Sequence, residues 1–264
     1  KAISVHLTPA TGAYHEIWLD DENGEKQKIT LDTDSEEEPI YGKTYLPRKF
    51  KIAVAIPPSN DVDLYANDLG FVAVIEDDKI VGYTVTVGGG MGMNHGQAKT
   101  FPRLADVFGF CTPEQVTDVA EKIVTTQRDY GDRTDRKHAR LKYTIEDRGL
   151  DWFRGEVEKR LGYSLGEARP FTFEHNGDRY GWVDDENGNS SHLTLFIQNG
   201  CVVDTEDFPM RTGLREIAKV HEGDFRLTGN QNLIIANVLP AKRAAIEVLL
   251  EKYKLANCYD QSGL

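Results

Sequence analysis

Apolar positions recur along this chain with two different periods, and the switches between them mark out its elements. The run Phe50-Lys51-Ile52-Ala53-Val54-Ala55-Ile56 is β-rich and stops at Pro57-Pro58, which predicts a strand ending there. Residues 71–75 and 79–87 predict two further strands, joined as a hairpin through Glu76-Asp77-Asp78. The second runs into Gly88-Gly89-Gly90-Met91-Gly92, where backbone can approach a ligand or another segment closely. The period then changes. A helix is predicted over 113–129, with Thr112 as N-cap, Pro113 at the first helical position and Gln115 completing a capping box. Val116, Val119, Ala120, Ile123 and Val124 form its apolar stripe. A second helix spans 150–161, with Leu150, Phe153, Val157 and Leu161 inward and Gly162 as its stop.

Gly166-Glu167-Ala168-Arg169-Pro170 is a boundary, because the pattern changes beyond it. Residues 192–198 predict a strand, Asn199-Gly200 a hairpin turn, and 201–204 the returning strand. Helix 212–222 carries Leu214, Ile217 and Ala218 inward and stops at Gly223. Strands at 225–228 and 232–238 follow, then a helix over 240–253 opened by Pro240. The order β-β-α-β-β-α makes an α+β unit with helices on one sheet face, close to the ferredoxin-like arrangement. The expected class is therefore α+β, with mixed or antiparallel sheets. Three segments are expected: 1–42, a lead-in with an acidic loop; 43–165, a larger sheet-and-helix module; and 166–264, the ferredoxin-like module.

The composition, 39% hydrophobic and 28% charged, is that of a soluble globular chain. No run of about 18 apolar residues occurs, so no helical membrane span is expected. The first residue is Lys, and the polar N-terminus does not resemble a signal peptide, so the chain reads as one cut from something longer. Three scattered cysteines, Cys111, Cys201 and Cys258, form no C-x-x-C pair and fit a reducing, cytoplasmic setting. They read as small apolar fillers rather than ligands. A net charge of −12 argues against nucleic acid. The run Asp32-Thr33-Asp34-Ser35-Glu36-Glu37-Glu38-Pro39 reads as a solvated acidic loop. Between Arg128 and Lys142 the balance reverses: Arg128, Arg133, Arg136, Lys137, Arg140 and Lys142 outnumber Asp129, Asp132 and Asp135. A cationic segment in an acidic chain suggests a small anionic ligand.

Arg140 and Lys142 are two apart, which on a helix would put them on nearly opposite sides. Non-helical backbone is therefore expected over 139–143, letting both cations reach one cleft, hold an oxyanion and assist loss of its oxygen atoms. The competing reading pairs these cations with Asp129, Asp132 and Asp135 at the surface. Gly88, Gly89 and Gly90 lack the spacing of a dinucleotide or phosphate loop; they form either a tight turn or a backbone bed for a flat cofactor. Asn230, Gln231 and Asn232 form either a turn or an amide cluster that binds a cofactor rim or braces a neighbouring domain. His95, His138, His175 and His192 show no ligand spacing, so no metal site is expected.

Seven collinear stretches carry a resemblance. They are Thr44-Tyr45-Leu46-Pro47-Arg48-Lys49-Phe50-Lys51, the run from Ala66 to Ala73, Val87-Gly88-Gly89-Gly90, and Thr125-Thr126-Gln127-Arg128-Asp129. The others run from Arg133 to Thr144, from His192 to Ile197 and from Gly223 to Ile235. Together they resemble the sirohaem-dependent sulfite/nitrite reductases, in particular the haemoprotein (β) subunit of the assimilatory sulfite reductases. That resemblance implies six-electron reduction of sulfite to sulfide at sirohaem bridged by a cysteine thiolate to a 4Fe–4S cluster. Electrons would come from an NADPH-fed flavoprotein or from ferredoxin. It implies that Arg140 and Lys142 match the basic pair that contacts the substrate anion. Better-known bacterial members carry Lys at the first of these positions, so Arg140 is a departure that keeps the charge. Arg cannot readily give up its proton, which assigns anion stabilisation to Arg140 and proton donation to Lys142. Gly88, Gly89, Gly90, Arg133, Arg136, Asn230, Gln231 and Asn232 are the expected cofactor-side residues. The resemblance further implies two pseudo-symmetric halves. The first ferredoxin-like module, with two more anion-binding arginines, would precede Lys1, and the cluster cysteines, normally C-x5-C and C-x3-C, would follow Leu264. The chain alone is expected to be inactive. The alternatives are a ferredoxin-dependent nitrite reductase acting on nitrite and a non-catalytic ferredoxin-like binding module.

Overall fold

In a computed structural model, residues 1–11, 17–29 and 37–256 are described, and contacts divide the chain into two compact units, Lys1–Glu174 and His175–Leu264. Cys258 and positions 32–36 of the acidic run lie outside the described residues.

The first unit opens with a short helix, α1 (Ala2–His6), and a hairpin of β1 (Ile17–Asp20) and β2 (Lys26–Ile29). Its main sheet contains β3 (Ile52–Ala55), β4 (Leu69–Glu76), β5 (Lys79–Val87) and β6 (Asp106–Cys111), in that spatial order. β3 runs parallel to β4 and the other pairs are antiparallel. The β4–β5 turn lies where Glu76-Asp77-Asp78 places it. Asp77 and Asp78 both take positive φ, 49° and 58°, the left-handed turn that matches strand twist. Three helices follow: α2 (Val116–Tyr130), α3 (Leu141–Arg148) and α4 (Leu150–Leu161). Leu69, Phe71, Val85 and Val87 of the sheet pack with Val119, Ile123, Phe153 and Val157 of the helices into one core. The helix over 113–129 starts later than expected, at Val116, with 113–115 forming a turn. Half of the capping box is present, since the Gln115 side-chain oxygen accepts the Thr112 N–H at 3.0 Å. Gly162 ends α4 with φ 77°, which suits a residue without Cβ.

The lead-in is part of this unit. Ile3 and Leu7 pack against the main core. The acidic run is not wholly solvated, because Glu38 is buried and accepts the Ala10 and Thr11 N–H groups and the Thr11 hydroxyl. At the other end, Phe171 and Phe173 pack on Ala53, Ala55, Leu64 and Val72, and so residues 166–174 belong to the first unit by contact.

The second unit has the order β7 (Gly181–Asp184), β8 (Ser191–Leu195), α5 (Met210–Val220), β9 (Asp224–Leu227), β10 (Leu233–Val238) and α6 (Pro240–Lys252). Its antiparallel sheet runs β7-β8-β10-β9. Leu193, Leu195, Leu233 and Ile235 meet Leu214, Ile217, Ile246 and Leu250 of the two helices. The expected β-β-α-β-β-α order is present, but its first hairpin is different. Residues 201–204 form no strand, and β7 pairs with β8 instead. Both edges of β8 are thereby filled, by β7 and β10, leaving no ladder for 201–204 to join. The turn itself survives: Asn199 and Gly200 take φ 55° and 68°. No described helix is long and apolar enough to cross a membrane.

Candidate anion-binding site

β5 ends at Val87 and delivers residues 88–92 to the start of α3, and the site is built around that meeting. Gly89 is required there by close approach: a Cβ would lie 2.1 Å from the Tyr65 carbonyl oxygen and 2.6 Å from that of Asn67. Gly88 takes φ 82° and its N–H donates to the Asp68 carbonyl at 2.8 Å. These contacts describe close packing of the glycine run against residues 65–68.

Non-helical backbone is found at Arg140, with φ −81° and ψ 155°, but not across 139–143, since α3 begins at Leu141. Lys142 therefore sits in the first turn of a helix. The two cations still converge, because Arg140 precedes the helix in extended conformation. The bend at the helix start brings together side chains that a continuous helix would separate. Arg140 Nη2 donates to Asp68 Oδ2 at 2.8 Å and to the Gly89 carbonyl at 3.4 Å. Lys142 is fully buried, and its ammonium donates to the carbonyls of Gly90 (2.9 Å), Gly92 (2.8 Å) and Phe101. All three of its protons are thus engaged. The Tyr143 ring lies 4.8 Å away from Nζ. Burial, followed by the like charge of Arg140, lowers the Lys142 pKa, while Asp68 opposes the shift. Burial raises the pKa of Asp68 despite the Arg140 guanidinium and the Lys51 N–H on its oxygen.

Beside this pair lies an open cleft of about 430 Å³. Its charged lining is Arg48, Lys49, Arg136, Lys137 and Arg140, with Gly92, Asn94, Thr100 and Tyr143 among the rest. Among the described residues no carboxylate lines it. Arg48, Lys49, Arg136 and Lys137 form no ion pair with any described residue. The expected competitors are committed elsewhere. Asp129 pairs with Arg128 and Arg160, Asp135 with Lys99, and Asp132 caps the backbone at Thr134 and Asp135. Four cations without a counter-charge, beside an Arg140 that is paired with Asp68, attract an oxyanion or the carboxylate rim of a polyanionic group. Arg140 Nε is buried with no hydrogen-bond partner.

The other anticipated residues are placed differently. Arg133 donates to the carbonyls of Thr44, Tyr45 and Arg128, bracing the segment that carries Arg48. Arg136 faces the cleft. Asn230 and Asn232 belong to the second unit, where both bind Asp178, and Asn232 also donates to the Tyr180 hydroxyl and accepts the Ile197 N–H. Gln231 lies in the turn between them with φ 66°. His138 stacks on Tyr143 at 4.3 Å and pairs with Asp147. Among the described residues no cluster of three His, Cys, Asp or Glu side chains could hold a metal. Sequence reasoning did not single out Asp68, Arg48 or Lys49 as site residues. The adjacent cations of Leu46-Pro47-Arg48-Lys49 were visible, but nothing local tied them to Arg140. A third cation, Arg103, also grips the glycine run, through the Gly88 carbonyl at 3.1 Å, while paired with Asp106 and Glu146.

Known proteins are similar to this chain. Residues 1–165 match the model of the nitrite and sulphite reductase 4Fe-4S domain, and residues 184–253 that of the nitrite/sulfite reductase ferredoxin-like half domain. The sulfite reductase [NADPH] hemoprotein beta-component of Anoxybacillus flavithermus is 60% identical over 264 residues, 100% of this chain and 45% of that protein. Its counterpart in Geobacillus kaustophilus is 61% identical over 257 residues, 97% of this chain and 44% of that protein. The solved structure of the NirA protein of Mycobacterium tuberculosis aligns with a TM-score of 0.64 and 26% identity over 80% of this chain and 37% of that one. The chain spans less than half the length of the curated relatives it matches.

Proposed function

Because this chain belongs to the nitrite and sulphite reductase family, we propose that it forms part of a sulfite reductase haemoprotein, which converts sulfite to sulfide by six-electron reduction. The observation that carries the reading is the five-cation cleft, free of carboxylates, with Arg140 on its wall and Lys142 beside it. The names of relatives about 60% identical to this chain favour sulfite over nitrite as substrate.

Sirohaem coupled to a 4Fe–4S cluster would, when bound, relay electrons from the donor to the anion. The residues present fit the anionic part of that assembly: Arg48, Lys49, Arg136 and Lys137 would hold peripheral carboxylates, and Arg140 the substrate anion. Gly88, Gly89 and Gly90 would form a wall with no side chains in the way. Arg133 acts from behind, by bracing the segment that bears Arg48. Asn230, Gln231 and Asn232 would steady the Asp178–Tyr180 region within the second unit.

Arg140 keeps its charge at any working pH, so its role is to stabilise the anion. Lys142 is the residue able to give up a proton, and its lowered pKa suits that task. To reach the substrate it must release one of its three carbonyl partners. An NADPH-fed flavoprotein is the proposed electron donor. A reducing cytoplasmic setting suits Cys111 and Cys201, both free thiols.

Lys142→Arg in the complete protein separates charge from proton supply, since Arg holds carbonyls and anions but does not release its proton. Sulfite turnover should fall at least about tenfold, with sulfite and both cofactors still bound. Unchanged turnover removes Lys142 from the proton path.

A further inference from the structure

The Arg140 guanidinium does not hold its place unaided. Asp68 is completely buried, immediately before β4, and its side chain pairs directly with Arg140. One oxygen, Oδ2, accepts both Arg140 Nη2 at 2.8 Å and the Lys51 N–H at 2.9 Å. The Asp68 backbone carbonyl meanwhile accepts the Gly88 N–H at 2.8 Å. A single residue thus ties together β3, the glycine run and the residue before α3.

Two polar atoms of this pair have no partner. Asp68 Oδ1 and Arg140 Nε are both buried and unbonded. A buried carboxylate with only one oxygen bonded is costly, and native structures keep such costs where a particular geometry is needed. The exposures are unequal: the Arg140 side chain is 12% exposed and the Asp68 side chain 0%. Asp68 is the fixed end of the pair, and Arg140 the end that meets the cleft.

We propose that Asp68 is the positioning residue of the anion site, a buried carboxylate that holds Arg140 against the cleft wall by one amino group and so fixes the part of the guanidinium that meets the substrate oxyanion. This rests on the reading of the cleft as the sulfite site. Without the carboxylate, Arg140 would be a nearly buried cation with no counter-charge, and it would turn toward water. The anion would then meet a mobile guanidinium, with the ordering cost added to binding.

The test is a double-mutant cycle in the complete protein, with sulfite titrated calorimetrically and thermal midpoints recorded alongside. Asp68→Asn should weaken sulfite binding at least about tenfold, and Arg140→Gln should weaken it comparably. In the double variant the loss should be no greater than in Arg140→Gln alone, because Asp68 acts only through Arg140. Full addition of the two losses, or an unchanged or tighter affinity in Asp68→Asn, overturns the proposal. A merely structural carboxylate would give that additive result. If Arg140→Gln alone leaves sulfite affinity unchanged, the reading of the cleft fails, whatever Asp68 does. Should Asp68→Asn not fold, the double variant decides. A folded double variant, with two neutral amides in place of the ion pair, supports pairing to Arg140 as the function of Asp68. A double variant that also fails to fold shows that the Asp68 carboxylate is needed for something other than Arg140, such as its bond to the Lys51 N–H, and the proposal falls.

Discussion

Two polar clusters, one in each unit, carry similar warning signs in the sequence, and the structure separates them. The Arg133–Lys142 stretch and the Asn230-Gln231-Asn232 stretch both concentrate hydrogen-bonding side chains between regular elements. In the second unit the cluster is closed on itself. Asn232 is 2% exposed, and its amide bonds Asp178, Tyr180 and the Ile197 N–H, with Asn230 adding to Asp178. In the first unit Arg48, Lys49, Arg136 and Lys137 around the cleft form no ion pair with any described residue, and Arg140, paired with Asp68, keeps a buried, unbonded donor. Saturated polar groups hold a fold together, and unsaturated ones are held ready for something else. Lys142 belongs to both categories, since its ammonium is saturated by a loop that the proposed proton donation would require it to leave.

That contrast can be broken or sharpened by substitution. The largest effect is expected from Lys142→Met, which leaves the carbonyls of Gly90, Gly92 and Phe101 without their donor in a buried site. Stability of the first unit should drop by about 3 kcal/mol, and amides of residues 90–101 should lose hydrogen-exchange protection. Protection equal to the parent's would show that Lys142 does not secure the loop. Asn232→Ala comes next. It strands the buried Ile197 N–H and should lower the denaturation midpoint of the second unit, a loss of about 2 kcal/mol, while sulfite affinity stays as it was. A loss of sulfite affinity with stability unchanged would reverse the contrast, making the amide cluster a ligand site. The smallest effect belongs to Asn230→Ala, whose exposed amide shares Asp178 with stronger partners. Its stability change should stay within about 0.5 kcal/mol, measured by chemical denaturation.

Much of this fold was legible in the chain itself. The turn at Glu76-Asp77-Asp78, the stop at Gly162 and the start at Pro240 follow from local chemistry, and all three occur where that chemistry puts them. The first hairpin of the second unit was not legible, although Asn199-Gly200 does turn. A turn signal specifies a reversal of direction, not which strand occupies the neighbouring ladder. The short run Gly181-Trp182-Val183-Asp184 took that place. Its period-2 pattern is too brief to stand out from sequence.

The site divides the same way. Sequence alone determined that a cationic stretch exists in an acidic chain, that Arg140 and Lys142 lie two apart, and that three glycines follow a strand. Charge and spacing are written in the chain. Only the tertiary structure decided that α3 starts between the two cations, that Lys142 is buried among carbonyls, and that Asp68 pairs with Arg140. It also brought Arg48 and Lys49 to the same cleft. The physical reason is sequence separation: Asp68 and Arg140 are 72 residues apart. Which buried charge meets which is fixed by the packing of β4 against the glycine run and α3, and no local pattern encodes it.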